Sequence, residues 1–241
     1  MLIGQDYEKV PFELFGLDLV EPNAMIGDSI LFLSAMYLAF RVNKLSPGND
    51  PFYRNWFYFF LVFGFSFLFG GIGHSFFNYF EVPGKYPGWY LGIFASFFIE
   101  QATISIYPNT SKIKLFRNIS RVKLVSALIG ASAVFLFADL DSDPQKGLHI
   151  PSVNTSIGMV FSMGILGYSY MKSYTESFKY HFISVFVLLP TAVFQSFKIS
   201  FAPLFDRNDA SHIFLLLSLI LYYLGVKGYR NYQLSNNLQH A

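Results

Sequence analysis

Residues 56–78, WFYFFLVFGFSFLFGGIGHSFFN, decide the fold. This stretch has no Asp, Glu, Lys or Arg, and it is long enough to cross the hydrocarbon core of a bilayer as a single helix. His74 stands near its end, directly after the glycine-rich segment GGIG, where an imidazole without a hydrogen-bonding partner is costly. The stretch therefore predicts a membrane-spanning helix, and it makes the surroundings of His74 the first question about function.

The composition of the whole chain is that of a membrane protein. Its 241 residues are 53% hydrophobic and 20% aromatic, and only 13% are charged, whereas soluble proteins carry about 25% charged residues. The net charge of +2 gives no reason to expect a nucleic-acid partner. The sequence contains no cysteine, which excludes disulfides, thiolate metal ligands and cysteine nucleophiles. We expect an integral, multi-pass protein of a plasma or inner membrane.

Apolar runs separated by turn-forming residues predict an all-α protein, one bundle of seven transmembrane helices over residues 1–241. Residues 1–23 precede the first span and are expected outside the membrane. The predicted spans are 24–43, 56–78, 88–107, 121–139, 153–172, 179–204 and 209–229.

Lysine and arginine are concentrated in alternate connections between these spans, which is the pattern of cytoplasmic loops. The richest connection lies between the third and fourth spans and holds Lys112, Lys114, Arg117, Arg121 and Lys123. The connections on the opposite side are acidic or mixed in charge. This alternation predicts an N-terminus outside and a C-terminus in the cytoplasm.

Strongly polar residues inside the predicted spans mark candidate sites, because they are expensive in lipid. They are Asp28, His74, Glu100, Gln101, His181, Gln195, Lys198 and His212. The topology places His74, His212 and Asp28 at the outer side, with Lys198 a turn or two from it and Glu100 near mid-membrane. Each also has a structural interpretation: a buried histidine is often a packing residue, and Lys198 can extend to the interface. For His181, near the cytoplasmic face, we expect only packing.

His74 and His212 occupy the same predicted depth, and neutral imidazole is the commonest zinc ligand. A metal site between the second and seventh spans is therefore one interpretation of these residues, and a hydrogen-bonded packing role is the other.

Three stretches resemble the alkaline ceramidases of the CREST superfamily, seven-helix membrane hydrolases related to the adiponectin receptors. They are DLVEPNAMIGD at 18–28, GGIGHSFF at 70–77 and DRNDASHIFLLL at 206–217. The resemblance implies calcium held by Asp18, Glu21 and Asn23, with Asp28 in place of a glutamate that the family carries deeper in its first helix. A carboxylate-rich loop suits that ion.

The resemblance also implies a catalytic zinc held by His74 and His212. The sequence departs from the family at Asn208, where a histidine is expected, and at Gly70, where serine is usual. Glu100 or Asp209 is then the candidate third zinc ligand and proton shuttle, since hydrolytic zinc accepts a carboxylate with two histidines.

The expected function is hydrolysis of a lipid amide or ester by zinc-activated water. Two alternatives stay open. One is a non-catalytic seven-helix protein that binds or senses a lipid after losing the full zinc site, and the other is an ion- or proton-coupled transporter that uses Asp28, Glu100 and Lys198. The expected partner is a membrane lipid, and the chain is expected to be a monomer or a homodimer.

Overall fold

The computed structural model describes residues 2–4, 7–46 and 49–239, and these residues form an all-α protein, as predicted. A π-helical segment, Val160–Leu166, joins the α-helices Gln145–Met159 and Gly167–Ser173 into one long helical rod. The helices are α1 Pro22–Leu45, α2 Pro51–Ser75, α3 Phe77–Phe80, α4 Tyr86–Ser105, α5 Thr110–Phe137, α6 Gln145–Met159, α7 Gly167–Ser173, α8 Lys179–Ser196 and α9 Arg207–Gln239.

Within the described residues, six helical segments are long and apolar enough to cross a membrane. They are Pro22–Leu45, Pro51–Ser75, Thr110–Phe137, Gln145–Ser173, Glu176–Ser196 and Arg207–Leu238. The predicted third span corresponds to α4, a helix of 20 residues that carries Glu100 and Gln101 and is not among these six segments, so the count of seven spans stays a prediction. The chain is therefore a multi-pass membrane protein with six clear candidate spans.

Two of the long helices, α2 and α5, begin at residues whose side chains cap them. The Asp50 side chain accepts a hydrogen bond from the backbone N–H of Phe52, with Pro51 at the first helical position of α2. The Asn109 side chain accepts from the N–H of Lys112 in the same way at the start of α5. These caps satisfy backbone donors that have no partner inside the helix.

Several predicted spans have different bounds in the structure, and the differences at α5 and α8 matter most for the candidate sites. Helix α5 begins at Thr110, well before the predicted residue 121, so the basic connection there is largely the first turns of a helix. The predicted span 179–204 is wrong at its end, because α8 stops at Ser196. Lys198 then adopts a left-handed φ of 49°, and Ile199–Ser200 form strand β4, which pairs antiparallel with strand β1, Leu2–Ile3.

The long helices pack in a closed order: α1 on α2, α2 on α4, α4 on α5 and α6, the π-helical segment on α8, α8 on α9, and α9 back on α1. Inside this ring lies an aromatic core centred on the fully buried Trp56. The Trp56 ring lies 5.1 Å from the His181 ring, and the His181 Nε2–H donates to the Tyr222 carbonyl at 3.1 Å. His181 is thus a packing residue of the core.

A short β-hairpin precedes α1. Strands β2, Pro11–Leu14, and β3, Leu17–Val20, pair antiparallel with Glu13 opposite Asp18. Leu19 and Val20 are buried against the helices, and the chain passes directly from Val20 through Glu21 into α1. The hairpin therefore fixes the acidic segment that opens the first long helix.

Candidate functional site

The N-terminal part of α1 brings two carboxylates to two different histidines. The His74 Nδ1–H donates to Glu21 Oε2 at 2.7 Å, and His212 Nε2 lies 3.2 Å from Asp28 Oδ1. His74 comes from the end of α2, and His212 comes from the first turns of α9. The two imidazoles are therefore held from the same helix but by separate carboxylates, about two turns apart along α1.

Glu21 is surrounded by positive charge. Burial acts to raise the pKa of its carboxyl, but the hydrogen bond and charge of His74, with Lys9 and Lys85, outweigh burial and lower the pKa to about 2. The Lys9 ammonium lies 3.9 Å from Glu21 Oε2. Burial lowers the pKa of Lys85, while the negative charges of Glu21 and Asp206 act against that shift. Glu21 is thus an ionised acceptor.

The Asp28–His212 pair is buried by close packing against glycines. Asp28 is only 3% exposed. A side chain at Gly71 would begin 3.0 Å from the Asp28 Cβ, and one at Gly27 would begin 2.6 Å from His212 Nδ1. That nitrogen is buried and accepts no hydrogen bond from the described residues. Glycine at these positions is what lets a carboxylate and an imidazole meet between three helices.

A cavity of about 50 Å³ opens beside Asp28, between α1 and α2. Its lining combines the Asp28 carboxylate with apolar side chains and two hydroxyls: Met25, Asp28, Ser29, Leu68, Gly71, Ile72, Ser75 and Phe76. The Ser29 hydroxyl donates to the Met25 carbonyl at 2.7 Å. The Ser75 hydroxyl is buried and has no hydrogen-bond partner within the described ranges.

Asn208 and Asp209 lie in the first turn of α9, and their hydrogen bonds go to that helix start, to α1 and to Gln195 instead of to His74 or His212. Asp206 and Asp209 form a reciprocal cap, in which Asp206 Oδ1 accepts from the N–H of Asn208 at 2.7 Å and Asp209 Oδ2 accepts from the N–H of Asp206 at 2.8 Å. Asn23 Nδ2 donates to the same Asp209 oxygen at 2.6 Å, which ties α1 to α9. Asn208 Oδ1 accepts from Gln195 Nε2 at 3.0 Å.

The predicted calcium ligands are held by three different neighbours. Asn78 donates to the Asp18 carboxylate at 3.4 Å, Glu21 faces His74 and Lys9, and Asn23 donates to Asp209. Calcium needs six or more oxygen ligands around one point. With Glu21 beside cations and Asn23 turned to another helix, this arrangement does not fit a calcium ion.

The predicted zinc set is likewise not assembled. Within residues 2–4, 7–46 and 49–239, no three His, Cys, Asp or Glu side chains are grouped closely enough to hold one metal ion. His74 and His212 face separate carboxylates, and Asn208 bonds to Gln195 and Asp206. The donors therefore do not fit a zinc ion as they stand.

Glu100 belongs to a second buried cluster, away from the histidines. Its Oε1 lies 2.7 Å from Lys123 Nζ, which also donates to Asn154 Oδ1 at 2.6 Å. Ser96 donates to Glu100 at 3.3 Å, and a side chain at Gly158 would collide with both Ser96 and Glu100. Glu100, one of the two candidate third zinc ligands, thus faces a lysine of α5 in this structure, whereas His74 and His212 face Glu21 and Asp28.

The residues of the transporter hypothesis are also dispersed. Asp28 pairs with His212, Glu100 pairs with Lys123, and Lys198 lies past the end of α8, where its carbonyl accepts from the N–H of Gly4 at 3.2 Å. The structure thus brings together no continuous set of these three side chains.

Three charged residues of these clusters were not predicted as site residues: Lys9, Lys85 and Lys123. Lys123 could have been predicted from the sequence. It lies among apolar residues in RVKLVSALIG, and a buried carboxylate such as Glu100 needs a cation as a partner. Lys85 carried a weaker signal, a lone cation in the short turn VPGK between two spans. Lys9 lies in an irregular segment whose fold over Phe77, at 3.0 Å from the ring centroid, has no sequence signature.

The fold and these clusters define a class: a multi-pass helical membrane protein with two separate ionic clusters buried between its helices. Within that class, the chain belongs to DUF6962, a family of unknown function, whose sequence profile matches residues 24–231. No curated protein and no solved structure matches the chain.

Replacing Glu21 by Gln tests the electrostatic interaction of Glu21 with His74 and the nearby lysines. The environment of the carboxyl lowers its pKa from the ordinary 4.5 to about 2 in the folded state, so ionised Glu21 stabilises the folded state above pH 4.5. Linkage gives at most about 3 kcal/mol at neutral pH. We expect Glu21→Gln to lower thermal stability in detergent at pH 7. The difference from wild type should narrow as the pH falls from 4.5 toward 2.

Glu8→Gln, an exposed acidic residue of the same segment, is the matched control and should change little. Equal destabilisation by Glu21→Gln at pH 7 and pH 3.5 would contradict the proposed charge pairing.

Removing one partner of the Glu100–Lys123 pair should be costly. Lys123→Met leaves a buried carboxylate unpaired, and such a change typically destabilises by about 3 to 5 kcal/mol. The double variant Glu100→Leu/Lys123→Met removes both charges and should recover much of that loss. The thermal unfolding temperature in detergent is measured for wild type, the single variant and the double variant, with the exposed Lys114→Met as control. A single variant as stable as wild type would show that the pair is unimportant.

Proposed function

We propose that this chain is a membrane protein that binds a lipid through the cavity beside Asp28 and performs no hydrolysis. The observation that carries the proposal is the cavity itself, which combines a buried carboxylate and the Ser75 hydroxyl with apolar walls. This corresponds to the non-catalytic alternative, in which the chain keeps a seven-helix architecture without a complete zinc set.

The position of the cavity supports access from the bilayer. It lies between α1 and α2, and the neighbouring side chains Ile26, Ile30 and Ile72 are 62%, 49% and 37% exposed on the outside of the bundle. In a membrane these side chains contact acyl chains. A lipid can therefore place its polar group against Asp28 while its chains stay in the bilayer.

The size and charge of the cavity define the lipid class. A volume of about 50 Å³ admits a hydroxyl, an amide or an amine but not a phosphocholine group. The Asp28 carboxylate accepts hydrogen bonds and donates none when ionised. The favoured ligand is an amphiphile with a small donor-bearing head, such as a ceramide or a diacylglycerol, rather than a phospholipid.

For the membrane arrangement we propose seven spans, with α4 as the third, and an N-terminus on the extracytoplasmic side. The support is the closed packing order, in which α4 contacts α2, α5 and α6, together with the alternation of basic and acidic connections.

A hydrolase of the ceramidase type is the second candidate. It is favoured by one observation, that each of His74 and His212 has one ring nitrogen held by a carboxylate. Such pairs orient imidazoles both as metal ligands and as general bases. A third donor would have to move to complete a metal site, which is why we place this candidate second.

Lipid binding is tested with tritiated short-chain ceramide and diacylglycerol on the purified protein in detergent. Asp28→Asn keeps the side-chain shape but removes the charge, and a charge-assisted hydrogen bond contributes about 1.5 to 3 kcal/mol. We therefore expect affinity to fall at least about tenfold. The exposed Asp139→Asn should bind like wild type. Binding that is unchanged in Asp28→Asn, or that is equal for phosphatidylcholine, would overturn the proposal.

Metal content separates the two candidates. Elemental analysis of the purified protein, before and after chelator treatment, should find zinc far below one ion per chain, because the donors are held apart. Zinc at one ion per chain, lost in His74→Ala and in His212→Ala, would instead favour the hydrolase.

A further inference from the structure

The β2–β3 hairpin has one apolar face that extends beyond its contacts with the protein. Strand pairing places Phe12 opposite Leu19 and Leu14 opposite Leu17, and these two pairs share one face because side chains alternate along a strand. Leu19, at the inner end of the face, is 1% exposed. Leu14 and Leu17, at the outer end, are exposed by 37% and 39%. The face therefore continues past the point where helices cover it.

The turn at the tip strengthens this observation. Phe15 and Gly16 have φ values of 53° and 78°, the left-handed pair of a two-residue hairpin turn. Asn-Gly is the favoured pair there, and a bulky residue in this conformation is unfavourable. Phe15 is also 94% exposed, so packing against the described protein does not compensate. Neither turn formation nor solubility in water explains a phenylalanine at this tip.

Strand β3 of the hairpin packs on α3 and on α2. Phe65, Phe69 and Ile72 form an exposed stripe along that helix, and Tyr79 and Phe80 continue it through α3 with 50% and 52% exposure. The Tyr79 hydroxyl accepts a hydrogen bond from the Asp18 N–H at 3.0 Å. The hairpin is thus tied to a short helix with exposed aromatic side chains, and such residues are enriched at membrane interfaces.

We propose that the tip of this hairpin, Leu14, Phe15 and Leu17, inserts into the lipid leaflet at the N-terminal end of α1. Glu13 and Asp18 face each other on the opposite side of the hairpin and stay in the aqueous headgroup layer. Phe15 enters the acyl boundary, where its apolar area is buried. Because β3 leads directly into Glu21, this anchor also fixes the carboxylate that holds His74.

Spin labelling tests the insertion, and a chain without cysteine needs no background substitutions. Leu17→Cys and the control Glu13→Cys are labelled separately in full-length protein, in vesicles of phosphatidylcholine and phosphatidylglycerol. Accessibility to oxygen, which partitions into lipid, is compared with accessibility to a water-soluble nickel chelate. We expect the oxygen-to-nickel ratio to be several-fold higher for Leu17 than for Glu13.

A second variant tests the role of Phe15. Phe15→Asn suits the left-handed turn, so the hairpin stays formed while its apolar tip is lost. The oxygen-to-nickel ratio at labelled Leu17 should fall at least twofold in this background, with thermal stability in detergent unchanged. Equal nickel access at Leu17 and Glu13 would place the tip in water. Shielding of Leu17 from both reagents would place it against protein, and either result would overturn the proposal.

Discussion

The cost of an unpaired charge in a low-dielectric interior governs how this bundle is built. Asp28 and Glu100 are both nearly inaccessible, and each is matched by a side chain from another helix, His212 of α9 in one case and Lys123 of α5 in the other. A buried carboxylate without such a partner costs several kcal/mol. The two pairs therefore restrict how α9 sits on α1 and how α5 sits on α4, in a membrane where apolar packing alone discriminates poorly between helix arrangements.

Small residues make these pairings possible. Gly27 and Gly71 leave room for His212 and Asp28, and Gly158 leaves room for Glu100 and Ser96. Directly after Gly158, the π-helical segment Val160–Leu166 shifts the following turns of the rod, so that the segment packs on α8. The glycines are thus best explained by the polar groups that they admit, and less by close helix contact for its own sake.

The sequence was sufficient for the helical class and for the membrane location, because long apolar runs and charged turns are local signals. It was insufficient for the pairings. Lys123 was grouped with the basic connection before the fourth span because it follows the polar stretch TSKIKLFRNISR, which forms the first turns of α5. The end of α8 was missed because FKISFAPLF remains apolar after the helix stops, and apolarity does not distinguish a helix from a strand. Which carboxylate meets which histidine depends on helix rotation, for which a single sequence has no signal.

The cations around Glu21 also argue against a metal ion at this place. Around Glu21 the chain supplies two ammonium groups, Lys9 and Lys85, in addition to the His74 imidazole. The negative charges of Asp28 and Asp206 also act on Lys85, so its positive charge interacts with several carboxylates at once. A divalent cation placed among these groups would be repelled by them, and the carboxylates would gain little from it. An ammonium group near several carboxylates offsets their charge without requiring coordination geometry.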